Sequence, residues 1–378
     1  MKVLILGSGR VGKVMAQDLV QDPQFRVTMA DVDPQGLSHF NGDSGISLIL
    51  QDLSDKHQLQ KLAKKYDTVI NALPGFMGFA AFQNVISAGI DIIDIAFFPE
   101  DPFVLQQMAL KNKVTALMDC GVAPGMSNLL VGYATSQLEE TSEVKIYVGG
   151  LPRVREWPYE YKAVFSPIDV IEEYTRPARY LKFGQVVTEP ALSGRELLDF
   201  KEVGTLEAFN TDGLRTLLKT ISCPNMIEKT MRYPGHIEKM MLLRETGFFG
   251  QSPLEINGCK IRPLDLTARL LFPMWEMKAG DEDVTVMRIL IEGKKGEKNY
   301  RYLYDLVDRF DTRKGITSMA RTTGYTATMV TRLLAAGLWK KKGVFAPEFL
   351  GRKKECVQFI LKGLEERGIC YRESISEI

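Results

Sequence analysis

The first third of the chain alternates short, wholly apolar runs with longer segments of helical spacing. Residues 3–6 form a continuous apolar run, as expected of a parallel strand covered on both faces. Residues 13–22 then place Val14, Leu19 and Val20 on one helical stripe, which Pro23 ends. A second apolar run, residues 25–30, finishes at Asp31. The same reading predicts strands at 46–50, followed by Asp52, and at 68–73, followed by Pro74 and Gly75. Two more fall at 90–95, with Asp94 near the end, and at 114–118, closing at Asp119. Helices are predicted over 55–65, 80–88 and 102–111. Alternation of this kind builds a parallel sheet with helices on both faces. Ligands of such sheets lie beyond the carboxyl ends of the strands, where Pro74, Gly75, Asp94, Asp119 and Gly121 all fall.

Past residue 125 the pattern changes. KIYVGGLP has strand character, EWPYEYKAVF is an aromatic-rich loop, and IDVIEEYTRPARYL reads as a helix interrupted at Pro177. TVMRILIEG and NYRYLYDLVD alternate as antiparallel strands. Helical periodicity returns over 317–335 and 353–367, with VFAPEFLG capping and redirecting the chain between them. Thr322, Thr323 and Tyr325 are read as opening the first of these helices. The predicted fold class is α/β: a doubly wound parallel sheet domain at 1–127, plus a second α/β domain with a mixed or antiparallel sheet at 128–315. Residues 316–378 are expected to pack back onto the first domain, placing both termini there. The second domain is read as serving substrate binding and dimerisation.

The turn between the first strand and helix is GSGRVG, with glycines at Gly7, Gly9 and Gly12. On its own this spacing is a weak signal; its place between an apolar strand and a helix raises it. Gly7 allows the tight turn, Gly9 lets the backbone approach a pyrophosphate, and Gly12 lets helix and strand pack closely. Arg10 and Val11 then open the helix, whose free N–H groups face the phosphates. Asp31 follows 19 residues after Gly12, counted along the sequence, where a carboxylate accepts the adenosine ribose hydroxyls. It would repel a 2′-phosphate, so NAD is expected over NADP, with Asp33 able to share the role. Asp52 lies at the level of the adenine pocket. Leu73, Pro74 and Gly75, together with the turn GVAPG at 121–125, are expected to line the nicotinamide end with backbone groups.

Composition narrows the classes. With 48 basic and 47 acidic residues the net charge is +1, which gives no electrostatic reason to expect nucleic acid or an anionic membrane as partner. Five scattered cysteines form no CxxC pair and read as reduced thiols, and no cluster has metal-ligand spacing. The apolar run at the start is too short for a signal-peptide core and no later run has the length of a membrane span, so a cytoplasmic location is expected.

Several stretches together resemble the saccharopine dehydrogenase-like family, most closely its branch containing L-lysine 6-dehydrogenase. They are GSGRVG, NALPGFMGF, DIIDIAFFPED, MDCGVAPGMSN, YVGGLP, SPIDVIEEYTRPAR, EAFNTDGLRTLLKT, RYPGHIEKM and MARTTGYTATMVTRLLA, which span nearly the whole chain in the family's order. The resemblance implies a Rossmann-type domain plus a second α/β domain, assembled as a homodimer. The implied reaction is NAD-linked oxidative deamination of the lysine ε-amine to the semialdehyde, which cyclises to piperideine-6-carboxylate as ammonia leaves. Two alternatives stay open: a saccharopine or carboxynorspermidine-type reductase or dehydrogenase of the same family, and a non-catalytic NAD-binding protein.

Such chemistry asks for a base, for an arginine that takes the substrate carboxylate, and for a carboxylate that meets an ammonium. Arg215 in NTDGLRTL is the first choice for the carboxylate, against a structural ion pair with Asp212 or Glu207; Arg176 is the second. His236 in YPGHIEK has an ordinary pKa suited to proton shuttling near neutrality, against a plain structural role. Asp94 and Asp119 are candidate bases or ammonium partners, or else turn caps. Tyr161, with Lys162, is a candidate pocket wall. His39 and His57 are assigned nothing.

Overall fold

The computed structural model describes residues 1–38, 45–278 and 280–378, so His39 lies outside the described residues. The chain forms two compact units. One is Met1–Ser136 with Ala320–Cys370, the other Gln137–Met319 with Tyr371–Ile378.

In the first unit the apolar runs become strands β1 (Lys2–Leu6), β2 (Arg26–Asp31), β3 (Ser47–Leu50), β4 (Thr68–Asn71), β5 (Asp91–Asp94) and β6 (Thr115–Leu117). Helix α1 (Arg10–Leu19) joins β1 to β2, and the short α2 (Pro34–Ser38) follows β2. Among the described residues the sheet has seven strands, all parallel, in the order 343–345, β6, β5, β4, β1, β2, β3. The order reverses between β1 and β4, which opens a crevice beyond their carboxyl ends. Leu4, Leu6, Val69 and Ile92 are buried in a core with Phe82, Val85 and Phe98. Each such side chain contributes roughly 1.5–3 kcal/mol relative to exposure.

Three expectations change here. The segment VFAPEFLG does more than redirect the chain: Gly343–Phe345 is the seventh strand, in parallel register with β6. Gly343, at φ +129, makes that entry, and its N–H donates to the Val114 carbonyl at 2.8 Å. The helix expected over 80–88 begins earlier, as Gly75–Ser87, because Pro74 already has the φ of a helix entry. The tail divides as well, since Arg372–Glu377 pairs antiparallel with Lys298–Arg309 and so carries the C-terminus to the second unit. Main-chain pairing decided that, and helical periodicity carries no information about it.

The described residues of the second unit form a nine-stranded mixed sheet. Its centre is three long strands, Glu140–Pro152, Asp283–Lys295 and Lys298–Arg309, joined antiparallel, while Asn225–Arg232 runs parallel to the first of them. Pro167–Thr175 is helical and Pro177 ends it rather than interrupting it, because Ala178–Lys182 is a strand. The helix Ser318–Ala335 begins before Thr322, Thr323 and Tyr325, so they do not cap it. The Asp283 carboxylate instead accepts from the N–H groups of Ser318 at 2.6 Å and Met319 at 3.0 Å. All five cysteines are free. Among the described residues no helix is long and apolar enough to cross a membrane, and no group of His, Cys, Asp or Glu could hold a metal ion.

Candidate functional site

The glycine turn is built as its spacing demands. Gly7 has φ +102, and a Cβ there would stand 2.8 Å from the Ala72 carbonyl oxygen. A Cβ on Gly12 would stand 2.1 Å from the Gly7 carbonyl oxygen, so the helix cannot approach with any larger residue. Gly9 differs: nothing lies within 4 Å of a Cβ built there, and no side chain caps the helix it begins. The open Gly9 face and uncapped helix start, beginning with Arg10 and Val11, fit a pyrophosphate.

At the end of β2, Asp31 is fixed by its neighbours. Oδ2 accepts from the Ser8 backbone N–H at 2.5 Å and from Ser8 Oγ at 2.8 Å, while Oδ1 accepts from the Asp33 N–H at 2.9 Å. Partial burial opposes its ionisation, but the bonds from Asp33 and Ser8 prevail and hold the carboxyl below its ordinary pKa. The anion retains acceptor capacity for ribose hydroxyls. Asp33 is committed elsewhere, capping α2 through the N–H groups of Gln35 and Gly36 at 2.9 and 3.0 Å. Asp52 is exposed and accepts from the N–H and hydroxyl of Ser54, which makes a local turn.

On the far side of the switch point the side chains are less open than expected. Leu73 is buried, Pro74 is the entry residue of the helix, and Gly75 is its first helical residue. Asp94 is fully buried; its oxygens accept from Asn71 Nδ2 at 2.5 Å and from the Ala96 N–H at 2.8 Å. Asp119 is buried too, at φ +53, immediately before Cys120. Burial, then the charges of Asp119 and Asp94, push the Cys120 thiol well above the ordinary range, so it stays protonated.

The second unit holds a buried polar cluster. His236, 1% exposed, starts the helix His236–Glu245. Its Nδ1 lies 2.8 Å from the Tyr159 carbonyl oxygen, which makes Nδ1 the donor and leaves Nε2 to accept from Tyr174 OH at 2.9 Å. Burial and then the nearby Arg232 charge lower its pKa to about 3. The expectation of a shuttle titrating near neutrality is therefore corrected: this imidazole is neutral and relays a hydrogen bond.

Arg232, also 1% exposed, donates from Nε to Tyr174 OH at 3.2 Å, from Nη1 to its neighbour's carbonyl at 2.9 Å, and from Nη2 to Glu173 at 2.5 Å. Its guanidinium lies 4.7 Å from the Tyr161 ring centroid, and Tyr161 packs edge-on against Trp275. Arg232, Glu173 and Tyr174 escaped the sequence reading. The available signal was Glu228, Thr230 and Arg232 at alternate positions of one strand, a polar stripe where an apolar face is the rule. Glu228, 5% exposed, accepts from Thr211 Oγ1 at 2.6 Å and from the Gly213 N–H at 3.1 Å. Burial raises its pKa to about 8.

Arg215 is half-buried at φ +45. Arg215 has polar interactions of its own, and the carboxylates of Asp212 and Glu207 also pair with Arg179 at 2.8 Å and with Arg195 at 2.6 Å. Arg176 ends its helix and pairs with Glu172 at 3.2 Å, one turn back. Tyr161, expected as a pocket wall, is buried in the cluster's core.

Comparison with known proteins agrees with this arrangement. Residues 3–117 match the saccharopine dehydrogenase NADP binding domain, and residues 121–369 the saccharopine dehydrogenase C-terminal domain. The chain is 22% identical to the mitochondrial alpha-aminoadipic semialdehyde synthase of Bos taurus over 445 aligned residues, covering 98% of this chain and 47% of that protein. It is 26% identical to the NADP(+), L-glutamate-forming saccharopine dehydrogenase of Saccharomyces cerevisiae over 275 residues, covering 67% of this chain and 60% of that one. It thus spans about half the length of these curated relatives. The solved apo structure of the L-Glu-forming saccharopine dehydrogenase from Saccharomyces cerevisiae superposes with a TM-score of 0.83 at 20% identity, covering 99% of both chains, and shares the fold. A nucleotide-binding parallel sheet and a matching second domain lead to one conclusion: the chain belongs to the saccharopine dehydrogenase family.

Proposed function

We propose that the chain is a nicotinamide-nucleotide-linked dehydrogenase that oxidises the carbon bearing the side-chain nitrogen of lysine or of a lysine-derived amino acid. The observation that carries the nucleotide half is the open Gly9 face beside a clamped, ionised Asp31. That anion, set where the adenosine ribose falls, favours NAD over NADP although the matching family model is named for NADP. When bound, the nicotinamide supplies a hydride acceptor. The chain's residues bind the phosphates at Gly9, Arg10 and Val11 and hold the ribose at Asp31.

For the amino acid we favour lysine, deaminated at its ε-amine to the semialdehyde, which cyclises to piperideine-6-carboxylate with ammonia released. Arg215 is proposed to take the substrate carboxylate, with Arg176 second. Asp94 and Asp119, at the carboxyl ends of their strands, are proposed to accept the ammonium proton. Neutral His236 and Tyr174 serve as fixed hydrogen-bonding groups. Saccharopine as substrate is the second reading, favoured by the name of the yeast relative. Assembly as a homodimer belongs to the same proposal and is checked by sedimentation.

The deciding experiment follows reduced-nucleotide absorbance with lysine or saccharopine and with NAD or NADP. Lysine turnover with ammonia release and no added keto acid supports the first reading. Saccharopine turnover with glutamate release supports the second, and no turnover on either refutes both. Asp31→Asn should weaken NAD more than NADP; equal losses would remove Asp31 from the ribose role.

A further inference from the structure

We infer that Ser8 is a positioning residue for Asp31, so that the choice between a free 2′-hydroxyl and a 2′-phosphate on the nucleotide belongs to the Ser8–Asp31 pair rather than to Asp31 alone. The inference rests on the dinucleotide reading above. In the turn GSGRVG the glycines carry the geometry and position 8 is a spacer, yet Ser8 is only 2% exposed. Its backbone N–H and its hydroxyl both donate to Oδ2 of Asp31, at 2.5 and 2.8 Å. Asp33 N–H holds the other oxygen at 2.9 Å, so donors from two loops set the plane of the carboxylate.

The hydroxyl is closed in from behind. A Cβ on Gly36 of α2 would stand 2.3 Å from Ser8 Oγ, so only glycine lets α2 cover it this closely. A carboxylate held this way presents its remaining lone pairs to vicinal hydroxyls and cannot swing aside for a phosphate. Among the described residues, Lys13 and Asp33 bring charge close to Asp31: Lys13, in the first turns of α1, feels both carboxylates, and burial lowers its own pKa. A loosened Asp31 would leave the Lys13 ammonium available to a 2′-phosphate.

The test titrates the protein with NADH and NADPH by nucleotide fluorescence near neutral pH, in wild type, Ser8→Ala, Asp31→Asn and the double variant. Ser8→Ala should weaken NADH about tenfold or more, the loss of one hydrogen bond to a charged group with the N–H bond retained, and leave NADPH unchanged or tighter. In the Asp31→Asn background, Ser8→Ala should change the preference no further. If the alanine variant aggregates, Ser8→Cys, with similar reach and a weaker donor, must narrow the preference in the same direction. Equal weakening of both nucleotides, or a further change of preference when Ser8→Ala is added to Asp31→Asn, overturns the role of Ser8 while the dinucleotide reading stands. A wild-type chain that binds neither nucleotide overturns both.

Discussion

Replacing Glu228 by glutamine makes a sharp test of the buried cluster, because the side chains have nearly the same shape and the amide cannot ionise. Both hydrogen bonds to Glu228, from Thr211 Oγ1 and the Gly213 N–H, arrive at Oε2. A glutamine oxygen accepts both there, and a Cβ on Gly213 would come within 2.3 Å of that atom, so nothing larger fits. Burial lifts the carboxyl from 4.5 to about 8, aided by the charges of Glu173 and Asp212 and opposed by the Thr211 and Gly213 bonds. Between those values the folded chain holds a proton that the unfolded chain has released. Unfolding free energy therefore falls as pH rises, by about 1.4 kcal/mol per unit. Below the unfolded value both states are protonated and the effect vanishes; above the folded value both are ionised and the whole penalty stands. Over the interval the loss is on the order of 3–5 kcal/mol. Urea unfolding of wild type and Glu228→Gln at half-unit steps from pH 4.5 to 9 reads it directly. The glutamine variant should match wild type at the acid end and exceed it progressively toward pH 8. A stability difference independent of pH would refute the assignment of a buried, protonated Glu228.

Other outcomes follow from the same geometry. Gly12→Ala should abolish nucleotide binding in a fluorescence titration, since its Cβ would stand 2.1 Å from the Gly7 carbonyl oxygen; retained affinity would mean that the turn relaxes easily. Arg232→Met should cost about 3 kcal/mol by leaving Glu173 without its cation, the lower end of the usual range because the Glu173 side chain is 22% exposed. Adding Glu173→Leu should recover much of it, and strictly additive losses in denaturant melts would rule out the coupling. Arg215→Lys should raise the Michaelis constant for the amino acid more than that for the nucleotide, since a lysine cannot reproduce a bidentate fork; unchanged kinetics would assign Arg215 to structure.

The nucleotide site was legible because its requirements are local. Gly7 and Gly12 are demanded by backbone clearance within one turn, Gly9 leaves open the face that a pyrophosphate would take, and Asp31 follows at the length of one helix and one strand. The same locality made the parallel sheet readable, since each strand buried on both faces announces itself as an apolar run. Side-chain roles in the second unit were not local. Arg232 and His236 are four residues apart, but what they do depends on Glu173 and Tyr174 from a helix some 60 residues earlier and on the Tyr159 carbonyl. The sequence shows a histidine of ordinary pKa; only packing removes water from it and sets a guanidinium beside it, which drives the imidazole neutral. Likewise Gly343–Phe345 became a strand because an open edge of β6 stood ready, and Arg372–Glu377 because Lys298–Arg309 did. Backbone clearance and apolar periodicity are written in consecutive residues. Desolvation and strand pairing are properties of neighbours distant in sequence, and only the tertiary structure supplies those.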